Sequence, residues 1–426
     1  MKHSETEQIK FKDLPLHEKL HKALDFIKFT HCTPIQAESL PLMLTGKDVA
    51  GQAQTGTGKT AAYLLTILQH LLEHPGHDDP GKAPLRALII SPTRELAIQI
   101  YNDACLLNKY TDFRIGLVYG GVDYDKQRKM LQDGVDILIG TPGRLIDYYK
   151  QKIFSLAKLQ IVVLDEADRM FDLGFIRDVR YMFRRMPKPE ERQSMLFSAT
   201  LSWRVTELAY EHMNNPVLIR INPDQITAKN ITQIGYHVSS DEKISLLIGL
   251  LRRIDPKRTI VFVNTKRTAE QIWGYLEGNG YHSAILSSDV PQQKRQKLFQ
   301  DFSSGNLPIL VATDLASRGL HIPDISHVFN YDMPQNPEDY VHRIGRTARA
   351  GASGDAVSLI CEEYVYSLHE IEEFIGEKIP TERVEPDMLV LLSDPVAMRD
   401  KRPVPRWKNK SKQGGFRQKS SRTGKR

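Results

Sequence analysis

The 426-residue chain is poor in cysteine: Cys32, Cys105 and Cys361 are single, widely spaced and odd in number. That excludes a disulfide framework or a cysteine zinc site and predicts a reducing compartment, the cytoplasm. Long apolar runs are also missing. None approaches the roughly 18 residues that a membrane helix needs, so no membrane role is expected. The first fourteen residues, "MKHSETEQIKFKDL", lack the apolar stretch of a secretory leader. Acids are absent from residues 401–426, "KRPVPRWKNKSKQGGFRQKSSRTGKR". Eleven of the chain's 58 Lys and Arg fall there, and the other 400 residues carry five more acids than bases. The basicity therefore belongs to a tail, which has too few aliphatic residues to order itself. Such a tail either attracts polyanions through counterion release or simply keeps the chain soluble.

What is abundant is alternation. Short β-branched runs, "RALIISP" (86–92), "RIGLVYG" (114–120), "DILIGT" (136–141), "IVVLDE" (161–166), "SMLFSAT" (194–200) and "PVLIRI" (216–221), are separated by amphipathic stretches. "KTAAYLLTILQHLLEH" (59–74) has the apolar spacing of a helix. The series restarts after the polar segment "NPDQITAKN" (222–230) with "TIVFVN" (259–264), "SAILSS" (283–288), "PILVATD" (308–314), "HVFNYD" (327–332) and "DAVSLI" (355–360). Continuous apolar strands alternating with helices predict parallel sheets covered on both faces. The fold class is α/β, two parallel-sheet domains in tandem. The expected boundaries are residues 1–221, a linker at 222–230, a second domain at 231–385 and a disordered basic tail at 386–426.

"AQTGTGKT" (53–60) fits a phosphate-binding loop, with Ala53 where the first glycine often stands. Gly56 and Gly58 let the backbone turn its NH groups toward a phosphate, Lys59 adds a mobile positive charge, and Thr60 can offer a hydroxyl to Mg²⁺. Alone, the string could be a glycine turn. "VVLDEAD" (162–168) weighs against that, because ligands of open α/β sheets bind beyond the carboxyl ends of strands, where a triphosphate needs a carboxylate for its metal. Asp165 suits the Mg²⁺ shell and Glu166 suits the orientation and deprotonation of an attacking water. Without the loop, an Asp-Glu pair reads as a solvated turn or helix cap.

Together "DEAD" (165–168) and "AQTGTGKT" resemble the DEAD-box RNA helicases of superfamily 2. The family's other motifs follow in order: "TPIQ" (33–36), "PTRELA" (92–97), "GG" (120–121), "TPGR" (141–144), "SAT" (198–200), "IVFVNT" (260–265), "ATDLASRGL" (312–320) and "HRIGRTAR" (342–349). "CTPIQ", "DRMFDLGFIRD", "FRRMP" and the short basic extension most resemble the bacterial RhlB-type subgroup, which is associated with mRNA decay.

The resemblance implies two RecA-like domains, ATP and Mg²⁺ as cofactors, and RNA as partner. Lys59, Asp165, Glu166, Arg346 and Arg349 would be catalytic, the two arginines as fingers from the second domain. Phe11, Thr33, Gln36, Ala53, Gln54, Thr55, Gly56, Thr57, Gly58, Lys59 and Thr60 would bind the nucleotide. Within that set Gln36 would read the adenine edge and Phe11 stack on its face, while Thr60 and Asp165 would hold Mg²⁺, partly through water. RNA phosphates would meet Pro92, Thr93, Arg94, Gly120, Gly121, Thr141 and Arg144, then Arg295 and Thr313, without reading sequence. Asp168, Ser198, Thr200 and His342 would couple the two sides. Read without the resemblance, Phe11 is a core anchor, "GG" and "TPGR" are ordinary turns, and His342, Arg343, Arg346 and Arg349 form a solvated helix face.

Three departures from the family pattern stand out. Lys28 and Cys32 replace the Gly and Pro common around "TPIQ", Ser287 and Ser288 replace His-Gly, and His321 replaces an Asp expected to touch the ATP ribose. The expected function is an RNA-stimulated ATPase that locally unwinds RNA duplexes or remodels RNA–protein complexes in mRNA degradation. An ATP-gated RNA clamp and a DNA-directed motor are the rivals. A monomer docking onto an endoribonuclease scaffold, beside an exonuclease of a bacterial RNA degradosome, is the partnership that the resemblance implies.

Overall fold

The computed structural model describes residues 9–53, 56–75, 84–221, 231–254, 257–287, 289–314, 325–347 and 353–397. The expected linker and residues 398–426 of the expected tail lie outside them. Among the described residues the apolar runs pair into two seven-stranded sheets in which the neighbours are parallel. The first holds β1 (Val49–Gln52), β2 (Ala87–Ile90), β3 (Ile115–Val118), β4 (Ile137–Gly140), β5 (Ile161–Leu164), β6 (Gln193–Ser198) and β7 (Val217–Arg220), in the order β3-β4-β2-β5-β6-β1-β7. The second holds β8 (Ile231–His237), β9 (Thr259–Val263), β10 (Ser283–Leu286), β11 (Ile309–Thr313), β12 (His327–Asn330), β13 (Gly354–Ile360) and β14 (Thr381–Glu382), in the order β10-β11-β9-β12-β13-β8-β14.

Successive side chains of a strand point to opposite faces, so each central strand feeds two cores. On β2, Ala87 and Ile89 join the core beneath the helix Lys59–Glu73, and Leu88 and Ile90 join the core on the other face. On β9, Val261 and Val263 take one side, Ile260 and Phe262 the other. Both faces are covered, as the continuous apolar runs predict. β1, β8 and β14 fall outside the runs singled out in the sequence.

Strand order positions the motifs. Gly120 and Gly121 follow β3, Thr141 follows β4 and Thr93 follows β2; Asp165 follows β5, Thr200 follows β6, and the glycine loop follows β1. One half of the sheet's carboxyl edge, β3-β4-β2, thus carries the residues expected to meet RNA. The other half, β5-β6-β1, carries those expected to meet ATP.

Residues 386–396 differ from the expected disordered tail. Met388 is buried, Ser245 Oγ donates to the Val390 carbonyl at 2.7 Å, and the Val396 N–H donates to the Gly274 carbonyl at 2.9 Å. The segment packs on the helices Lys243–Ile254 and Lys266–Gly278, where a Cβ at Gly249 would collide with the Met388 carbonyl.

Candidate active site

The loop after β1 turns on Gly56 and Gly58, both left-handed at φ 86° and 91°. The helix Lys59–Glu73 then begins. Gln36, in the first turn of the helix Pro34–Met43, ties this loop to "TPIQ". Its Oε1 accepts from the Thr33 N–H at 2.8 Å and its Nε2 donates to the Gly58 carbonyl at 2.9 Å. One amide hydrogen and one lone pair of Gln36 are left over, enough to read a base edge. Lys59 is buried, and its Nζ donates to the Ala53 carbonyl at 2.6 Å. Gln54 and Thr55 lie outside the described residues. Phe11 is 2% exposed and stacks on Phe29 at 6.2 Å between centroids, so it sits in the first core.

Asp165, Glu166 and Asp168 are all buried at the end of β5. Burial pushes the Asp165 carboxyl up to about 6; nearby Lys59 opposes this, and Glu166 adds to it. Tyr63 Oη donates to Asp165 Oδ2 at 3.0 Å. Glu166 adopts left-handed backbone, φ 51° and ψ 55°, and caps the helix Ala167–Asp172. A non-glycine residue held there is strained, a feature that clusters at functional sites. Its carboxylate pairs with Arg169 Nη1 at 2.7 Å in a buried ion pair. Arg169 escaped the sequence reading, although its spacing three residues after Glu166 is that of facing helix neighbours.

Asp168 joins this strand end to the next. Its carboxylate accepts from the N–H groups of Ala199 and Thr200 at 3.0 and 3.1 Å, and its own N–H donates to Ser198 Oγ at 3.1 Å. Among the described residues Thr200 Oγ1 and Arg169 Nη2 are buried without hydrogen-bond partners. The donor set fits a nucleoside triphosphate with Mg²⁺: glycine NH groups and a lysine for phosphate, and one buried carboxylate plus a hydroxyl for the ion. Mg²⁺ is ordinarily bound through one or two carboxylates plus substrate phosphates.

On the other half of the edge, Arg94 lies over the Gly120-Gly121 turn, where a Cβ at Gly121 (φ 84°) would collide with its guanidinium. Thr93 caps the helix Arg94–Leu107, its Oγ1 accepting from Leu96 N–H at 3.3 Å. Arg144 stacks over Tyr124 and Tyr148 at 4.9 and 5.5 Å. A cavity of about 600 Å³ gathers Pro92, Thr93, Arg94, Gly120, Thr141 and Arg144, with Arg295 reaching in from the second half of the chain. Arg295 Nε sits 3.1 Å from Glu95 Oε1, and both side chains are nearly buried. Thr313, at the end of β11, is not among the residues that line this cavity.

The basic cluster of the second half is not a solvated face. Arg343 is 1% exposed and grips both oxygens of Asp314 at 2.7 Å, with further bonds to the Asn264 side chain at 2.8 Å and to the Asp332 carbonyl. Arg346 is also buried, its Nε donating to the His342 carbonyl at 3.1 Å. Arg349 and His321 lie outside the described residues. No helix among the described residues is long and apolar enough to cross a membrane.

Known proteins share this arrangement. The DEAD/DEAH box helicase family matches residues 33–208, and the helicase conserved C-terminal domain matches residues 242–351. The chain is 53% identical to the ATP-dependent RNA helicase RhlB of Vibrio parahaemolyticus, covering 94% of this chain and 92% of that one. It is 55% identical to the RhlB of Pasteurella multocida, covering 94% of each. Among solved structures, S. cerevisiae Dbp5 bound to RNA and ADP BeF3 is similar at TM-score 0.77 and 32% identity, covering 88% of this chain and 95% of that one. A Dbp5 variant bound to Nup159, Gle1, IP6 and ADP is similar at TM-score 0.61 and 32% identity, covering 87% and 96%. On these matches the chain belongs to the DEAD/DEAH box helicase family and is an ATP-hydrolysing helicase.

Proposed function

We propose that the chain is an RNA-stimulated ATPase that locally unwinds RNA duplexes or remodels RNA–protein complexes during mRNA degradation in the cytoplasm. The observation that carries this reading is the pair of bonds from Asp168 to the Ala199 and Thr200 N–H groups. They tie the carboxylates beside the glycine loop to the strand end that follows β6. A change at the phosphates would therefore pull on the backbone that leads away from them.

Each role follows from position. Lys59 and the NH groups of the glycine loop would hold the phosphates and Gln36 the adenine edge. Phe11 would act as the anchor that keeps the "TPIQ" segment in place. Thr60 and Asp165 would hold Mg²⁺, which, when bound, supplies the positive charge that neutralises the phosphate oxygens. Glu166 would orient an attacking water and take its proton, its carboxylate kept in place by Arg169. Arg346 and Arg349 would deliver guanidinium groups to the terminal phosphate, a contribution worth roughly 10³ to 10⁵ in rate for residues of this kind. That step needs the two halves closed on each other.

The better match to RNA-bound Dbp5 than to its Gle1-bound form, TM-score 0.77 against 0.61 at equal identity, supports a closed arrangement. The Arg295 contact across the cavity supports it too. Arg94, Arg144 and Arg295 would then hold RNA phosphates from both halves, without reading bases. ATP and RNA would favour closure together, because each makes contacts that exist only when the cleft is shut. The division we adopt is residues 1–221, a linker at 222–230, and a second domain at 231–397. The likeness to RhlB also leads us to propose docking of that second domain on an endoribonuclease scaffold with an exonuclease nearby. Copurification after RNA digestion tests this.

The central test measures ATP turnover with RNA and with DNA of one sequence, beside strand displacement. Stimulation by RNA alone is expected, and Glu166→Gln should keep ATP and RNA binding while losing turnover. Equal stimulation by DNA would favour the DNA-directed motor, and normal turnover in the variant would remove Glu166 from its role. Long RNA residence without displacement would favour the clamp.

A further inference from the structure

A cavity of about 980 Å³ lies far from these motifs. Leu85 and Arg86 precede β2, Val135 precedes β4 and Gln160 precedes β5, so the cavity opens at the amino-terminal edge of the first sheet, opposite the active site. Arg86, Lys150, Lys152 and Lys158 line it, together with Tyr149, Phe154 and Tyr181. None of its lining residues is Asp or Glu. In a chain whose first 400 residues carry more acids than bases, a lining with four cations and no acid is not an average surface.

Arg86 gives the site its character. It is 4% exposed, its Nε donates to Gln160 Oε1 at 3.1 Å and its Nη2 donates to the His74 carbonyl. These bonds fix the plane of the guanidinium. Among the described residues neither Arg86 nor the three lysines stands within ion-pair distance of a carboxylate. Burial pulls the Arg86 guanidinium below the usual arginine range, with Asp136 opposing from further away. Burying a cation without a counter-ion is costly, and an anion in the cavity would offset that cost.

The aromatic rings narrow the ligand class. Tyr149 and Phe154 pack edge to face at 6.1 Å, and Tyr181 carries Arg185 on its ring at 3.4 Å and Lys150 at 5.4 Å. Cations interleaved with ring faces are how proteins hold a base and its phosphate together. The volume falls within the range of small-ligand pockets. An acidic peptide would satisfy the cations but would bring no flat body for the rings. We propose that this cavity is a second binding site for a nucleoside phosphate, either free or as the end of an RNA strand. Occupancy there would leave the ATP site and the RNA cavity open, because both lie on the opposite edge of the sheet.

The test uses the full chain with two probes, UMP and a short 5′-phosphorylated oligouridylate whose terminal base is 4-thiouridine. Uridine is chosen because it does not present the adenine edge assigned to Gln36. Arg86→Gln should weaken binding about tenfold, the loss of one charge-assisted contact. Since Arg86 also holds Gln160 and His74, the double variant Lys150→Gln with Lys158→Gln, both exposed positions, repeats the test without touching packing. A similar loss with unchanged ATP turnover is expected. Loss of UMP binding in both variants would identify a free nucleotide as the ligand. A variant-sensitive crosslink from the oligouridylate alone to the peptide carrying Tyr181 would identify a strand end. Unchanged binding of both probes in both variants would overturn the proposal, as would displacement of the probes by polyglutamate at equal charge.

Discussion

Arg169 Nη1 stands 2.7 Å from the Glu166 carboxylate, with both side chains buried. Removing one partner of such a pair leaves the other charge uncompensated, which costs about 3–5 kcal/mol. Arg169→Met should therefore lower stability by that order in urea unfolding. Turnover should fall further than ATP affinity, because Glu166 loses the contact that fixes its carboxylate. Arg169→Lys should recover part of both effects. A methionine variant that unfolds at the wild-type midpoint would mean that the pair is not what holds Glu166.

Gly58 meets two demands at once. Its backbone is left-handed, and a Cβ there would collide with Gln36 Nε2, which donates to the Gly58 carbonyl at 2.9 Å. Gly58→Ala should break the tie between "TPIQ" and the loop. Nucleotide affinity is expected to fall tenfold or more, the equivalent of about 1.4 kcal/mol, as measured by fluorescent-nucleotide titration. RNA binding without nucleotide should change little, since its contacts lie on the other half of the sheet edge. A comparable fall in both affinities would point to general misfolding.

What the sequence revealed and what it hid divide along physical lines. The glycine loop, Asp165 and the Arg94 cradle are legible because local chemistry demands particular residue types at short spacing. The parallel strands are legible where apolar runs are continuous, as at Ala87–Ile90 and Ile161–Leu164. β1 reads poorly, since its four residues Val49–Gln52 include a glycine and a glutamine. Arg343 misleads because a cation in a basic cluster reads as solvated, while its partner Asp314 lies 29 residues upstream and only folding brings them together. The Glu95 to Arg295 contact is hidden for the same reason, across 200 residues. Met388 was lost in a stretch read as tail because its surroundings in sequence are polar.

Asp103, on the outer helix Arg94–Leu107, has its carboxyl pushed up to about 6 by burial. The folded chain therefore holds this proton more tightly than the unfolded chain does. Stability is unaffected below the unfolded value near 4 and is lost as pH rises toward 6, where the buried group must ionise. Asp103→Asn should stabilise the chain at pH 7.5 by at most about 3 kcal/mol, with partial solvent access reducing that figure. At pH 3.5 it should be neutral. Unfolding curves at the two pH values check the sign. Asp165 shifts in the same direction, so Asp103→Asn should flatten the profile only in part.

Arg295 and Glu95 join the two halves of the chain inside the cavity that also holds Thr93, Arg94 and Arg144. A phosphate entering that cavity would compete with the Glu95 carboxylate for the Arg295 guanidinium. Glu95→Gln keeps the shape of the side chain but withdraws the competing charge, so RNA affinity at low salt should rise severalfold. The dependence of affinity on salt should steepen, since one more cation is neutralised by RNA. Arg295→Gln should act in the opposite sense, weakening RNA binding and lowering the slope by about one. In the double variant the Glu95 substitution should have no further effect, because its influence runs through Arg295. Additive effects in that cycle would show that Glu95 repels RNA directly and that the contact between the halves plays no part in RNA capture.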